Sequence, residues 1–238
     1  GEHRASDKPA SVKKLLSPIS PVSIPCIGLN YRHHAAESNA PIPQWPVVFH
    51  KPVSTVQNPG DPIMLPTKLA SHQVDYECEL AIVIGRYGRR IPRDQAWDYV
   101  AGYSIFQDGS ARDWQKHSVT AGKNFDASSS WGPYLVTKDE IPDPKKMVLT
   151  TRLNGEVVQQ DSTAAMMLSV AEIIAYISIF THLEPGDFTG HPAGLAWSRL
   201  PGSTVRLRPS GCGFGPVPES TRSRKAPWVS ERSPWSSR

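Results

Sequence analysis

The sequence predicts a mostly β, mixed α+β domain on three observations. Short runs rich in β-branched residues are separated by Pro and Gly, one residue pair is of the hairpin-turn type, and a single amphipathic helix is well marked. A chain of 238 residues with 39% hydrophobic residues can enclose one large core. Strands do not alternate with long helices as in a doubly wound sheet, and no internal repeat is visible.

Residues 1–23, with Lys, Ser and Pro but little periodicity, read as an N-terminal arm. The catalytic domain is expected over residues 24–208, followed by a basic, disordered tail over 209–238. Residues 24–28 read as the first strand. Pro41, Pro43, Pro46 and Pro52 then punctuate a segment that leaves residues 47–49 as a short strand and no room for a long helix. Residues 76–85 form the best strand, in which alternation through Glu77 and Glu79 gives way to Ile82, Val83 and Ile84. Its start is half polar and its end buried. After Pro92 a short helix over 94–99, a strand over 100–106 and a polar loop over 107–126 follow. Asn154-Gly155, between runs 148–153 and 156–159, is a hairpin turn, because a type I′ turn needs positive φ at both central residues. Ser169 with Glu172 makes a capping box, and Val170, Ile173, Ile174, Ile177 and Phe180 follow at helical spacing until Pro185-Gly186.

The net charge of +4 is unevenly spread. Residues 188–238 hold eight Lys/Arg against two Glu, a surplus of +6, so residues 1–187 carry −2. The basic tail has neither aromatic stacking order nor a reader motif, so no nucleic-acid partner is expected. No run approaches the roughly 20 apolar residues of a membrane span, and no membrane partner is expected. Cys26, Cys78 and Cys212 are too few and too scattered for a disulfide framework or a paired-cysteine zinc site. A reducing compartment fits: cytoplasmic, with mitochondrial as the alternative.

Asp75, Glu77 and Glu79 alternate along the expected strand, so their carboxylates share one face. A solvated acidic edge shows the same pattern, but this strand runs directly into an apolar segment, and like charges at that spacing repel unless water or a cation screens them. Magnesium or manganese, with calcium next, suits such oxygens better than zinc, since no His/Cys pair has zinc spacing. Asp108 lies just past a strand end, where it either completes a metal site or caps a turn. Arg112 offers a fork to a substrate carboxylate or to a surface ion pair. His34 and Glu37, three apart, share a face on a helical turn, as an acid/base pair or an exposed polar pair would. Lys123 can steady a developing oxyanion or be solvated.

Gly28-Leu29-Asn30-Tyr31 with His34 and Glu37 resembles the opening GLNYxxHxxE motif of the fumarylacetoacetate hydrolase family. Phe49-His50-Lys51-Pro52 is similar to its FxKP turn, and the run from Asp75 to Leu80 to its DYExEL motif. Gly102-Tyr103, the run from Gln107 to Asp113, Lys123-Asn124-Phe125-Asp126, Gly132-Pro133 and Asn154-Gly155-Glu156 follow in the family's order, so the resemblance covers residues 24–187. It implies a mixed β-sandwich roll with few short helices, a homodimer, and a small 2-oxo acid substrate. It also implies Glu77, Glu79 and Asp108 as metal ligands with Asp75 supporting them, and His34 and Glu37 as an acid/base pair on a mobile lid. Lys123 becomes an active-site cation, and Arg112, Gln115 and Thr189 become substrate-binding residues. The leading implied reaction is divalent-metal-dependent hydrolysis of C–C bonds in small 2,4-dioxo acids through an enolate. Oxaloacetate decarboxylation or tautomerisation and dioate isomerisation are its alternatives. The closing motif GDxxxTGTPxGVG departs from the family: over residues 186–195 it is two residues short and has His191 in place of Thr. That motif normally closes over the substrate carboxylate, so a catalytically impaired metal-binding homologue is the alternative of another class. From Pro209 the composition resembles no family strand, as an altered reading frame or splice product would.

Overall fold

The structure, a computed structural model, describes residues 11–37, 39, 41–66, 71–192 and 207–215. Strand β1 (Ile24–Gly28) pairs antiparallel with β2 (Val47–Lys51), and the short helix α1 (Arg32–Glu37) lies between them in sequence. The strands β3 (Val56–Gln57) and β4 (Val74–Asp75) precede the long β5 (Cys78–Ile84). A 3-10 helix, Arg93–Tyr99, leads into β6 (Val100–Gln107), then β7 (Ser110–Ala111), helix α2 (Val119–Lys123), β8 (Ser129–Trp131) and β9 (Val136–Thr137). The hairpin of β10 (Val148–Leu153) and β11 (Glu156–Ser162) is followed by helix α3 (Val170–Phe180), β12 (Phe188–Pro192) and β13 (Leu207–Gly215). The main sheet has the order β12-β5-β6-β8-β3 with β9 also on β6, a second sheet has the order β11-β10-β13, and β4 pairs with β7. Strands thus dominate, as expected.

β5 is the spine of the fold because both of its faces are covered. Leu80, Ile82 and Ile84 enter a core with Tyr103 and Ile105 of β6, Leu149 of β10 and Ile173, Ile174 and Ile177 of α3. Ala81 and Val83 face the opposite core, with Ile24, Cys26, Phe106, Trp131 and Phe188. There the rings of Trp131 and Phe188 stack with centroids 4.5 Å apart. Two covered faces explain why this strand reads as a continuous apolar run.

The hairpin turn forms as expected, with Asn154 at φ 52° and Gly155 at φ 96°. The Ser169–Glu172 capping box also forms. Several boundaries differ. The strand expected over 76–85 starts at Cys78, because Glu77 and Asp108 instead exchange both backbone bonds, at 3.1 and 2.9 Å. The expected helix over 94–99 is a 3-10 helix. The expected loop over 107–126 contains β7 and α2, whose N-cap Ser118 accepts from Ala121 N at 3.0 Å. Phe180, placed on the buried stripe of α3, is 56% exposed and meets Tyr176 edge-on instead of the core. The tail boundary expected at Pro209 falls inside β13, which pairs with β10 from Leu153↔Leu207 to Val148↔Gly215, since ladder bonds use backbone groups whatever the side chains. The rest of that tail, 216–238, and residues 1–10 of the arm lie outside the described residues. Among the described residues no helix is long and apolar enough to cross a membrane.

Because Ile174 is fully buried between α3 and the sheet, Ile174→Ala is expected to cost about 2–5 kcal/mol. Loss of the cap in Ser169→Ala is expected to cost about 1 kcal/mol. Urea denaturation reads both; a smaller loss at Ile174 than at Ser169 would contradict this packing of α3.

Candidate active site

Strand register assembles the site. Glu79 lies opposite Phe106 near the end of β6, and the backbone exchange between Glu77 and Asp108 sets those two side by side just beyond it. Glu77, Glu79 and Asp108 each offer a carboxylate oxygen, all within 4.8 Å of one another, and all three residues are buried. β12 passes on the other side of β5. A Cβ on Gly190 would overlap Glu79 Oε2, so a glycine there makes room for the carboxylate.

Cations hold part of this charge. Lys123, at the end of α2, places its Nζ 2.6 Å from Glu77 Oε2 and 2.7 Å from Asp108 Oδ2. Lys51, at the end of β2, sets its Nζ 2.6 Å from Asp108 Oδ1 and also donates to the Lys123 carbonyl. Arg112 donates from Nε and Nη2 to Asp75 Oδ2 at 3.0 and 2.9 Å, and from Nη1 to Gln115 Oε1 at 3.1 Å, with Nη1 also 2.7 Å from Glu77 Oε1. Burial would raise the Glu77 pKa, but Lys123 and then Arg112 hold it well below the usual carboxylate range. Burial would lower the Lys123 pKa, but Asp108 and Glu77 hold it above the usual lysine range. At Asp75 burial outweighs Arg112 and pushes the carboxyl up to about 6.

Glu79 is the exception. Neither of its carboxylate oxygens has a hydrogen-bond partner among the described residues. Burial, then the charge of Asp108, pushes its pKa well above the usual carboxylate range. An ionised Glu79 therefore calls for a further cation. The donor set fits a hard divalent ion: the three grouped residues offer carboxylate oxygens alone. Asp75, Glu77, Glu79 and Asp108 face Lys51, Arg112 and Lys123, leaving one formal negative charge when every group is ionised. A divalent ion turns the site positive, which suits an anionic substrate.

His34, on α1, is 8% exposed. Burial holds its pKa below the usual histidine range and Arg112 and Lys123 add to this, against the opposing pull of Glu77. The imidazole is thus kept in the neutral form that can accept a proton. Glu37 closes the same helix, but its side chain lies outside the described ones.

The structure brings His34, Glu77, Glu79, Asp108, Lys123 and Arg112 together, with some differences from expectation. Arg112, expected to grip a substrate carboxylate, is engaged by the nearer carboxylates of Asp75 and Glu77, and Gln115 serves Arg112. Thr189 is set apart: it pairs with Ile82, so the two-residue strand period turns it to the face away from Glu79, where its Oγ1 lies 2.8 Å from His191 Nε2. Burial alone takes the His191 pKa down to about 3, so that ring is neutral. Lys51, fully buried, was given no role from sequence. Its signal was the alternation through Phe49, His50 and Lys51, which turns Lys51 inward with Phe49 while His50 stays exposed.

The profile described as fumarylacetoacetate (FAA) hydrolase C-terminal matches residues 23–216. The chain is 43% identical over 194 residues to the Xenopus laevis protein named oxaloacetate tautomerase fahd2, mitochondrial, covering 79% of this chain and 60% of that protein. It is 40% identical over 200 residues to the human oxaloacetate tautomerase FAHD2A, mitochondrial, covering 81% and 63%. The chain thus spans about three fifths of the length of these curated relatives. Among solved structures it is similar to 2-hydroxyhepta-2,4-diene-1,7-dioate isomerase from Mycobacterium marinum (38% identity, TM-score 0.66, 75% of this chain and 67% of that one). It is also similar to a fumarylacetoacetate hydrolase from Exiguobacterium antarcticum (37% identity, TM-score 0.68, 76% and 66%).

The two kinds of carboxylate are expected to respond differently to neutralisation. Glu79→Gln replaces a buried carboxyl that has no hydrogen-bond partner among the described residues, so calorimetry should show magnesium affinity reduced more than about tenfold while stability in urea holds or rises. Asp108→Asn should lose the metal and also about 3–5 kcal/mol of stability, because buried Lys51 loses its ion pair and Lys123 keeps only that to Glu77. Unchanged magnesium affinity in Glu79→Gln, or equal stability losses in the two variants, would contradict the assignment.

Proposed function

The chain belongs to the fumarylacetoacetate hydrolase family, and from that premise we propose that it is a divalent-metal-dependent enzyme that moves a proton at the carbon next to the keto group of a small 2-oxo dicarboxylic acid. Oxaloacetate tautomerisation is the leading case, with dioate isomerisation of the same type. The observation that carries this reading is a neutral, buried His34 beside a carboxylate cluster whose Glu79 has no hydrogen-bond partner among the described residues. The names of the relatives support it: two are called oxaloacetate tautomerase and one structure a dioate isomerase.

Glu77, Glu79 and Asp108 would hold the ion, magnesium or manganese, which supplies a Lewis acid for the 2-oxo group. The proton leaves C3 for the His34 imidazole nitrogen, and the imidazolium returns it to the enolate oxygen, giving the enol; the reverse sequence gives the ketone. Lys123 adds a fixed positive charge next to the developing oxyanion while holding Glu77 and Asp108 together. Arg112, tied to Asp75, fixes Glu77 from the other side, so the oxygens are arranged before substrate arrives. Glu37 is proposed to orient His34.

C–C hydrolysis, the leading expectation from sequence, uses the same enolate chemistry and is favoured by the hydrolase name of one similar structure. β12 keeps its register with β5 through Pro192, which supports an intact carboxylate cluster despite the altered closing motif. The proposal extends to a homodimer and to the mitochondrial location named for the tautomerase relatives.

Purified protein with magnesium is expected to speed the keto–enol equilibration of oxaloacetate, followed by the ultraviolet absorbance of the enol, and to lose the activity in EDTA. Cleavage of acetylpyruvate or fumarylpyruvate with silence on oxaloacetate would favour the hydrolase. Silence on all three, with magnesium bound, would favour the impaired homologue. In the same assay His34→Ala should lower kcat about 10²- to 10⁴-fold with magnesium affinity unchanged; full turnover would overturn the role given to His34.

A further inference from the structure

At six residues, α1 is far too short to be stable by itself, so its placement depends on what it touches. Its base is clamped to the segment between β11 and α3. The Asn30 side chain donates to Leu168 O at 3.1 Å and accepts from Leu168 N at 2.8 Å. The Asn30 carbonyl accepts from Met167 N at 2.7 Å, and Tyr31 forms an antiparallel bridge with Met166. Within the first turn a second anchor appears, where His33 Nδ1–H donates to Asp161 Oδ1 at 3.1 Å.

The two partners differ in setting. The Asp161 side chain, on β11, is 4% exposed, and that of His33 is 71% exposed. Asp161 Oδ1 also accepts from Ser162 N at 2.7 Å, while Oδ2 has no partner among the described residues. A buried carboxylate served only by a backbone amide is costly, and a polar side chain brought to it is held more firmly than in an open surface pair. Consecutive helical residues diverge by about 100°. A helix that turns His33 onto β11 therefore aims His34 in another direction, toward Glu77, Arg112 and Lys123, whose charges act on it.

We propose that His33 and Asp161 are a positioning pair: their hydrogen bond fixes the rotation of α1 and so sets His34 over the carboxylate site. Neither residue touches the reacting atoms. The effect on turnover rests on the function proposed above, whereas the effect on helix placement does not.

The test uses the full chain with magnesium and the variants His33→Ala, Asp161→Asn and His33→Asn. Amide hydrogen exchange is read in residues 32–37 and, as an internal reference, in α3. His33→Ala and Asp161→Asn are expected to speed exchange in 32–37 about three- to tenfold with α3 unchanged. On oxaloacetate kcat should fall by a similar factor while KM and magnesium affinity hold. His33→Asn, whose amide can replace the Nδ1 donor, should restore both readouts, and the double variant should lose no more than either single one. Unchanged exchange in 32–37, unchanged kcat, or additive losses would overturn the proposal. Faster exchange in a protein whose wild type turns over none of the substrates would support the positioning pair and overturn the reading of function.

Discussion

Three carboxylates buried within 4.8 Å of one another cannot all be ionised without compensation, because no bulk water is present to screen them. Two of the three are answered from within the chain. Glu77 and Asp108 share the Lys123 ammonium, and Asp108 takes Lys51 as well. Glu79 is answered by no hydrogen bond among the described residues. This asymmetry supports the proposed ion: the protein cations hold Glu77 and Asp108 in shape, and among the described residues Glu79 is left with its oxygens open to a divalent ion.

The fold serves that constraint by bringing distant segments to one point. β5 is covered on both faces, so Glu79 stands on a rigid strand between two cores. Lys51 arrives from β2, Lys123 from α2 and Gly190 from β12, and each is buried at the place it reaches. His34 arrives differently. It sits on a short helix whose base is tied to the β11–α3 segment, and the charges of Glu77, Arg112 and Lys123 act on its ring.

Much of the site was legible because its residues lie close in sequence or keep a strand period. Glu77 and Glu79 show their shared face through alternation, Asp108 follows a readable strand, and the hairpin and α3 carry turn and cap residues that identify them. The counter-charges were harder to read. Lys51 meets Lys123 and Asp108 only through pairing across the fold, and α2 is too short to show a helical period. Arg112 stayed open between substrate fork and ion pair because the sequence does not show that β4 and β7 bring Asp75 beside it. Thr189, expected to bind substrate, faces away from Glu79, since register with β5 decides which way β12 turns its side chains.

We propose that a divalent ion completes the carboxylate cluster. Anomalous diffraction from crystals grown with manganese tests it most directly. The expected result is one peak bounded by the carboxylates of Glu77, Glu79 and Asp108, absent from crystals of Glu79→Gln grown in the same way. A map empty at that place, with Lys123 still between Glu77 and Asp108 and Glu79 still without a partner, would contradict it.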